Sequence, residues 1–367
     1  MEIPFFTPQR QYKEIKPEIK KAIENVLNHG SYILGPEIKE FEKNLAQYLN
    51  MKNAVAVASG SDALFLGLKA MGIKPNDEVI TSPFTFFSTV SSITRIGAKP
   101  VFVDIDPDTF NIDVKKIENK ITKKTKAILP IHLFLQPAKM DEIVKIADKY
   151  DLKILEDAAE AFGMKYKKRF AGSIGDIGIF SFYPTKTLGT YGDGGAVVSN
   201  NQSYIDEVIS LRNHGQSNRY HHREVGYNDR LDTIQGAILN VKLNHIDDGI
   251  KKRNSIGKQY NRELANISEI QTPHVIDNVE EVYYVYSILT ERRDELKKYL
   301  EKNGIGTNIY YPIPLHLQEC FKFLNHKKGE FPVAEKTSKR ILALPMFPEL
   351  KEEEIKYITK KIKSFFS

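Results

Sequence analysis

The chain is poor in the features that mark several protein classes. It has one cysteine, Cys320, in 367 residues, so an internal disulfide is impossible and four-cysteine metal sites are excluded. That fits a reducing, cytoplasmic setting. The opening MEIPFFTPQRQYKEIKPEIKK has no signal-peptide apolar core. No stretch approaches the ~20 apolar residues that cross a bilayer, so no membrane association is expected. No G-x-G-x-x-G follows a strand-like run, which argues against a dinucleotide oxidoreductase. Internal repeats, low-complexity tracts and disordered linkers are missing as well. Charge of one sign is scarce: 53 lysines and arginines against 47 acids leave +6, spread along the chain. That balance suits an anionic small substrate as well as a polyanion. Nucleic-acid binding would need a basic face with stacking aromatics. The nearest candidate, KYKKRF at 165–170, reads as a solvated hairpin.

What is present is an ordinary soluble composition, long enough for about two domains of roughly 150 residues. Short apolar runs at Ala54–Ala58, Glu78–Thr81, Pro100–Asp104, Ala127–Ile131, Lys153–Asp157, Gly178–Phe182 and Ala196–Ser199 read as strands. Most are continuously apolar, as strands buried on both faces should be. Helical periodicity lies between them. In KPEIKKAIENVLNHG, Pro17 is expected in the first helical turn and Gly30 at the stop, with Ile19, Ala22, Ile23 and Val26 on one face. DEIVKIADKYD repeats the spacing with Ile143, Ile146 and Ala147. This alternation implies an α/β fold with a mainly parallel, doubly wound sheet. From about Leu231 helices dominate, with a weaker strand at Tyr283–Thr290 and helices at Asp294–Lys302 and Glu352–Phe366. The expected division is 1–245 for a large domain with an N-terminal helical segment and 246–367 for a smaller α+β domain.

Ligands of open parallel sheets collect at the carboxyl ends of the strands. After the first strand come Ser59, Gly60, Ser61 and Asp62, then an apolar helix. Gly60 allows close backbone approach, and the helix start favours an anion such as phosphate; taken alone, the stretch is a plain N-cap. After Lys153–Leu155 stand Glu156, Asp157 and Glu160, acids that are costly at the mouth of a buried strand unless paired or used. After Gly178–Phe182 stand Tyr183, Pro184, Thr185 and Lys186. Lys186 has no acid within six residues on either side. Apolar and aromatic walls are expected to lower its pKa and free the amine to form an imine. An anion cradle, an acid and an imine-forming lysine are together what pyridoxal phosphate requires. An aromatic should cover the ring, and Phe84 and Phe86 follow the second strand.

On these stretches, and on SYILGPEIKEFE, ASGSDALFLGL, GAKPVFVDIDPDTFNID, ILEDAAEAFG, FSFYPTKTLGTYGDGG, GYNDRLDTIQGAIL and YYPIPLHLQ, the chain resembles the DegT-type nucleotide-sugar aminotransferases. These are pyridoxal-phosphate enzymes of the aspartate-aminotransferase fold, fold type I. The resemblance runs over almost the whole chain. It implies that Lys186 joins the cofactor's aldehyde and later shuttles a proton. It implies that Asp157 pairs with the ring nitrogen, that Gly60, Ser61 and Ser181 hold the phosphate, and that Phe86 stacks on the ring. Asn228 is implied to reach the phosphate of the neighbouring subunit in a homodimer with shared active sites. Glu160 departs from the usual glutamine or histidine facing the ring's phenolic oxygen. A carboxylate there must be protonated or bonded elsewhere, and a raised pKa is expected.

The implied reaction takes an amino group from L-glutamate and delivers it to a keto group on a nucleotide-linked sugar. Arg219, His221 and Arg230 are placed near the substrate, with Tyr310 and Tyr311. The adjacent histidines of RYHH point different ways and lack a carboxylate at ligand spacing, so no metal site is read there. The stretches LRNHG, RYHH and YNDRLDT most resemble 3-aminotransferases. The preferred substrate is a uridine-diphosphate 2-acetamido-3-keto-glucuronate, with Arg230 facing its carboxylate. The alternatives are a thymidine-diphosphate 3-keto-6-deoxyhexose or a 4-keto sugar. A non-catalytic regulatory protein is the rival of a different class.

Overall fold

The computed structural model describes residues 1–367. Seven of its strands form one sheet: β1 (Asn53–Val57), β2 (Glu78–Thr81), β3 (Lys99–Phe102), β4 (Thr125–Ile128), β5 (Lys153–Asp157), β6 (Ile177–Ser181) and β7 (Gly195–Ser199), in the order β1-β7-β6-β5-β4-β2-β3. The pairs β3–β2, β2–β4, β4–β5 and β5–β6 are parallel; β7 runs antiparallel to both of its neighbours. The seven apolar runs of the sequence are these seven strands, each within three residues of its expected bounds.

Side chains alternate faces along a strand, and the core follows that alternation. On one face Val55, Val57, Leu155, Ile177, Ile179 and Val197 pack with α3 (Gly60–Ala70) and α6 (Gln202–Arg212). On the other, Ile80, Ile128 and Ile154 pack with Ile143 and Ala147 of α5 (Met140–Tyr150). There too Ala56, Phe180 and Val198 meet Phe41 and Leu45 of α2 (Pro36–Tyr48). Helices on both faces make the sheet doubly wound.

Helix α1 (Gln9–His29) ends as the sequence implies, on Gly30 at φ +69°, the left-handed conformation that glycine adopts without strain. Its start is different. Pro17 lies inside the helix, not in its first turn. An interior proline forfeits one backbone bond, but tertiary anchors hold the turns before it. Arg10 donates to both carboxylate oxygens of Glu354 at 2.6 Å and to the Glu349 carbonyl, and Ile15 is buried.

After α7 (Thr233–Leu243) and α8 (Ile246–Leu264), a two-stranded antiparallel sheet pairs β8 (Tyr286–Leu289) with β9 (Ile341–Leu344). It packs with α9 (Arg293–Lys302) and α10 (Pro332–Arg340), and α11 (Glu352–Phe366) packs on α8 and α9. No helix is long and apolar enough to cross a membrane. Residues 165–170 form the short hairpin expected of them, with Lys167 and Lys168 exposed at its turn.

Candidate active site

The carboxyl ends of β1, β2, β4, β5 and β6 open onto one cavity of about 470 Å³. At its β1 end Ser59 caps α3. Its hydroxyl oxygen accepts from the Asp62 N–H at 3.1 Å and its proton goes to Asp62 Oδ2 at 2.7 Å. The first N–H groups of the helix have no intrahelical partner, and the helix dipole favours an anion beside them. Gly60 is required there: a Cβ would lie 2.6 Å from Ser181 Cβ. That contact brings the helix start against the Ser181 hydroxyl, and together they form an anion cradle. Ser88 Oγ sits 2.6 Å from Ser61 Oγ at its rim.

The two acids at the end of β5 point opposite ways, as adjacent strand residues must. Glu156 faces away from the cavity. It accepts from the backbone N–H of Gly172, Ile174 and Gly175 and from His132 Nε2 at 2.8 Å. Burial pushes its pKa up, but these donors outweigh burial and hold it below the usual carboxylate range. Glu156 is therefore a structural knot, and the acid excess seen in the sequence was only partly about chemistry. Asp157 faces the cavity and is buried. Thr89 Oγ1 donates to its Oδ2 at 2.8 Å, and the Ala159 N–H to its Oδ1 at 3.2 Å. Burial is the largest influence on it, and its pKa is raised.

Lys186, after β6, lines the same cavity. Its Nζ lies 3.5 Å from Glu160 Oε1 and 4.5 Å from the centre of the Tyr284 ring. The sequence implied a lowered pKa from apolar walls, and the structure corrects this. Burial does pull the pKa down, but Tyr284, Glu160 and Asp157 together push it above the ordinary lysine value. Tyr284 is distant in sequence, so nothing around Lys186 announced it. Glu160 has the outside partners that a carboxylate in this place needs. Tyr311 Oη donates to its Oε1 at 3.0 Å and the Phe134 N–H to its Oε2 at 3.2 Å.

Of the residues singled out in the sequence, Gly60, Ser61, Phe86, Asp157, Glu160, Ser181, Lys186, Tyr310 and Tyr311 line this cavity. Asn228, Arg219, His221 and Arg230 do not. Arg230 donates to the side chains of Asn213 and Asn228. Arg219 stacks on Tyr220, 5.2 Å from the ring centre, at the turn of an exposed hairpin whose strands are Gln216–Asn218 and His221–His222. Thr85, Thr89 and Tyr284 line the cavity without having been anticipated.

This set fits pyridoxal phosphate: a helix-start cradle that admits only glycine, a buried carboxylate, and a lysine on the same cavity. Comparison with known proteins agrees. The profile of the DegT/DnrJ/EryC1/StrS aminotransferase family matches residues 13–363. A pleiotropic regulatory protein of Geobacillus stearothermophilus is 44% identical, covering 100% of this chain and 99% of its own. The UDP-2-acetamido-2-deoxy-3-oxo-D-glucuronate aminotransferase of Pseudomonas aeruginosa is 40% identical, covering 97% of this chain and 98% of its own. The crystal structure of ntda from Bacillus subtilis, with bound cofactor PMP, superposes with a TM-score of 0.93 at 30% identity, covering 100% of this chain and 85% of the other.

Proposed function

The chain belongs to the DegT/DnrJ/EryC1/StrS aminotransferase family and is a pyridoxal-phosphate-dependent sugar aminotransferase; from that premise we propose that it transfers an amino group from L-glutamate to C3 of a nucleotide-linked 3-keto sugar, a uridine-diphosphate 2-acetamido-3-keto-glucuronate. The observation that carries the reading is the convergence of Lys186, Asp157 and the start of α3 on one cavity.

Bound there, pyridoxal phosphate supplies an aldehyde that takes up the amine and a cationic ring that accepts the electron pair left when a proton departs. The chain's own residues do the rest. The first N–H groups of α3, with Ser61 and Ser181, bind the phosphate. Asp157 holds a proton on the ring nitrogen. Phe86 covers a face of the ring, and Glu160, held by Tyr311, meets its phenolic oxygen. Lys186 Nζ takes a proton from the substrate carbon and delivers it two atoms away, to the cofactor carbon on the far side of the transferred nitrogen. The two half-reactions follow each other in ping-pong order.

No arginine or histidine is among the residues that line the cavity, yet a sugar nucleotide brings two phosphates. We assign that charge to a second copy of the chain. Asn228, Arg219, His221 and Arg230 would serve the neighbouring subunit's site from the exposed hairpin and the segment beside it, and Tyr220 and Val225 there are 77% and 86% exposed. The division at 245 fits this plan: Tyr284, Tyr310 and Tyr311 close the cavity from the C-terminal side.

The regulatory name of the 44% identical relative favours a second reading, in which turnover is absent. One experiment separates them. The protein is loaded with pyridoxamine phosphate and offered 3-keto and 4-keto sugar nucleotides carrying uridine or thymidine diphosphate, while the absorbance of the aldehyde form is followed. Recovery of that absorbance is expected with the 3-keto glucuronate. Recovery with 4-keto sugars alone would overturn the regiochemistry. A protein that neither bleaches with glutamate nor recovers with any sugar would support the regulatory reading.

A further inference from the structure

We infer that Thr89, oriented by Thr85, is the positioning residue that fixes the plane and the charge of the Asp157 carboxylate. The inference rests on the reading that Asp157 faces the cofactor's ring nitrogen.

Thr89 lies in the first turn of α4 (Phe87–Arg95) and is 1% exposed. Its Oγ1 is 2.8 Å from Asp157 Oδ2 and 3.0 Å from Thr85 Oγ1, and Thr85 is also buried. A hydroxyl has one proton to give. With Asp157 ionised, Thr89 gives it to the carboxylate and must then accept from Thr85. The donors run one way, from Thr85 through Thr89 to Asp157. The Ala159 N–H holds the other oxygen, so each carboxylate oxygen has a donor and the group cannot rotate freely. These donors favour the charged form, as does Lys186 beyond them, against burial and against the nearby Glu160, which favour the neutral one. The β-branched side chain of threonine narrows the choice of rotamer.

The neighbouring residue provides an internal control. Ser88 meets Ser61 at the phosphate cradle, so consecutive residues of one helical turn serve opposite ends of the ligand. If Thr89 acts through Asp157, its loss changes the ring nitrogen. Loss of Ser88 changes only the phosphate end.

The test uses holoprotein loaded with pyridoxal phosphate carrying a 15N label in the ring. The 15N chemical shift is followed across pH, and cofactor affinity is measured by equilibrium dialysis. The natural protein should show a protonated ring nitrogen. Thr89→Val keeps the shape and removes the hydroxyl; its signal should move toward the neutral pyridine position, with affinity about tenfold weaker. Thr89→Ser should restore the signal. Ser88→Ala should weaken binding and leave the shift in place. Thr85→Val, one bond further back, should move the shift the same way by less, and it carries the test if Thr89→Val does not fold. A natural-type shift and pH dependence in Thr89→Val, with the signal altered in Asp157→Ala, would overturn the role of Thr89 alone. An unaltered signal in Asp157→Ala would instead overturn the reading of Asp157 on which the inference rests.

Discussion

Lys186→Ala is expected to lower the rate of each half-reaction by about 10⁴-fold while leaving the cofactor's phosphate site intact. The reason is geometric. Lys186 Nζ is the only amine among the groups that line the cavity, and a proton must leave the substrate carbon and be delivered two atoms away, on the far side of the transferred nitrogen. The other groups nearby are poor substitutes. Glu160 is held by Tyr311 and the Phe134 N–H. Burial pushes the Tyr311 hydroxyl well above its ordinary pKa, and Glu160 adds to the effect, so Tyr311 is no base near neutrality. Lys186→Arg keeps the positive charge beside Glu160 and cannot condense with an aldehyde, so it should be as inactive as the alanine variant. The measurement is single-turnover bleaching with glutamate. Rates within tenfold of the natural protein would remove Lys186 from the chemistry.

Asp157→Ala should cost about 10³-fold in turnover, the scale for removing a preorganised electrostatic partner from a buried site. The carboxylate is costly where it stands. It is buried, only Thr89 and the Ala159 N–H donate to it, and its pKa is raised by desolvation. A buried acid so placed would be explained by a cation opposite it, and the proposed reading supplies one in the protonated ring nitrogen of the bound cofactor. Pyridoxal phosphate methylated on its ring nitrogen carries the charge permanently and should restore much of the lost rate to Asp157→Ala. No rescue, with the cofactor bound, would mean that Asp157 does not act through the ring nitrogen.

The sequence made the frame of the seven-stranded sheet readable for a physical reason. Strands buried on both faces are continuously apolar, so Ile154 and Leu155 mark β5 although they pack on opposite sides of it. Glycines at close approaches were equally legible, because Gly60 and the left-handed Gly30 answer to local geometry. Three things were not local. Glu156 and Asp157 look alike in the sequence, and only the side to which each points makes one a knot and turns the other to the cavity. The charge of Lys186 depends on Tyr284, which tertiary folding brings to within 4.5 Å. Pro17 suggests a helix start on its own, but an ion pair from Arg10 to Glu354 sustains the turns before it. The residues that sequence reasoning gave to the substrate divide in the same way. Tyr310 and Tyr311 come to the cavity within one chain, whereas Arg219, His221 and Arg230 stay outside it.

The central claim is that the amine of residue 186 condenses with pyridoxal phosphate. Borohydride reduction of the holoprotein, followed by proteolysis and mass spectrometry, tests it most directly. The account predicts a phosphopyridoxyl group on the peptide that contains Lys186 and on no other lysine. A reduced cofactor recovered free in solution, or fixed to a different lysine, would contradict it.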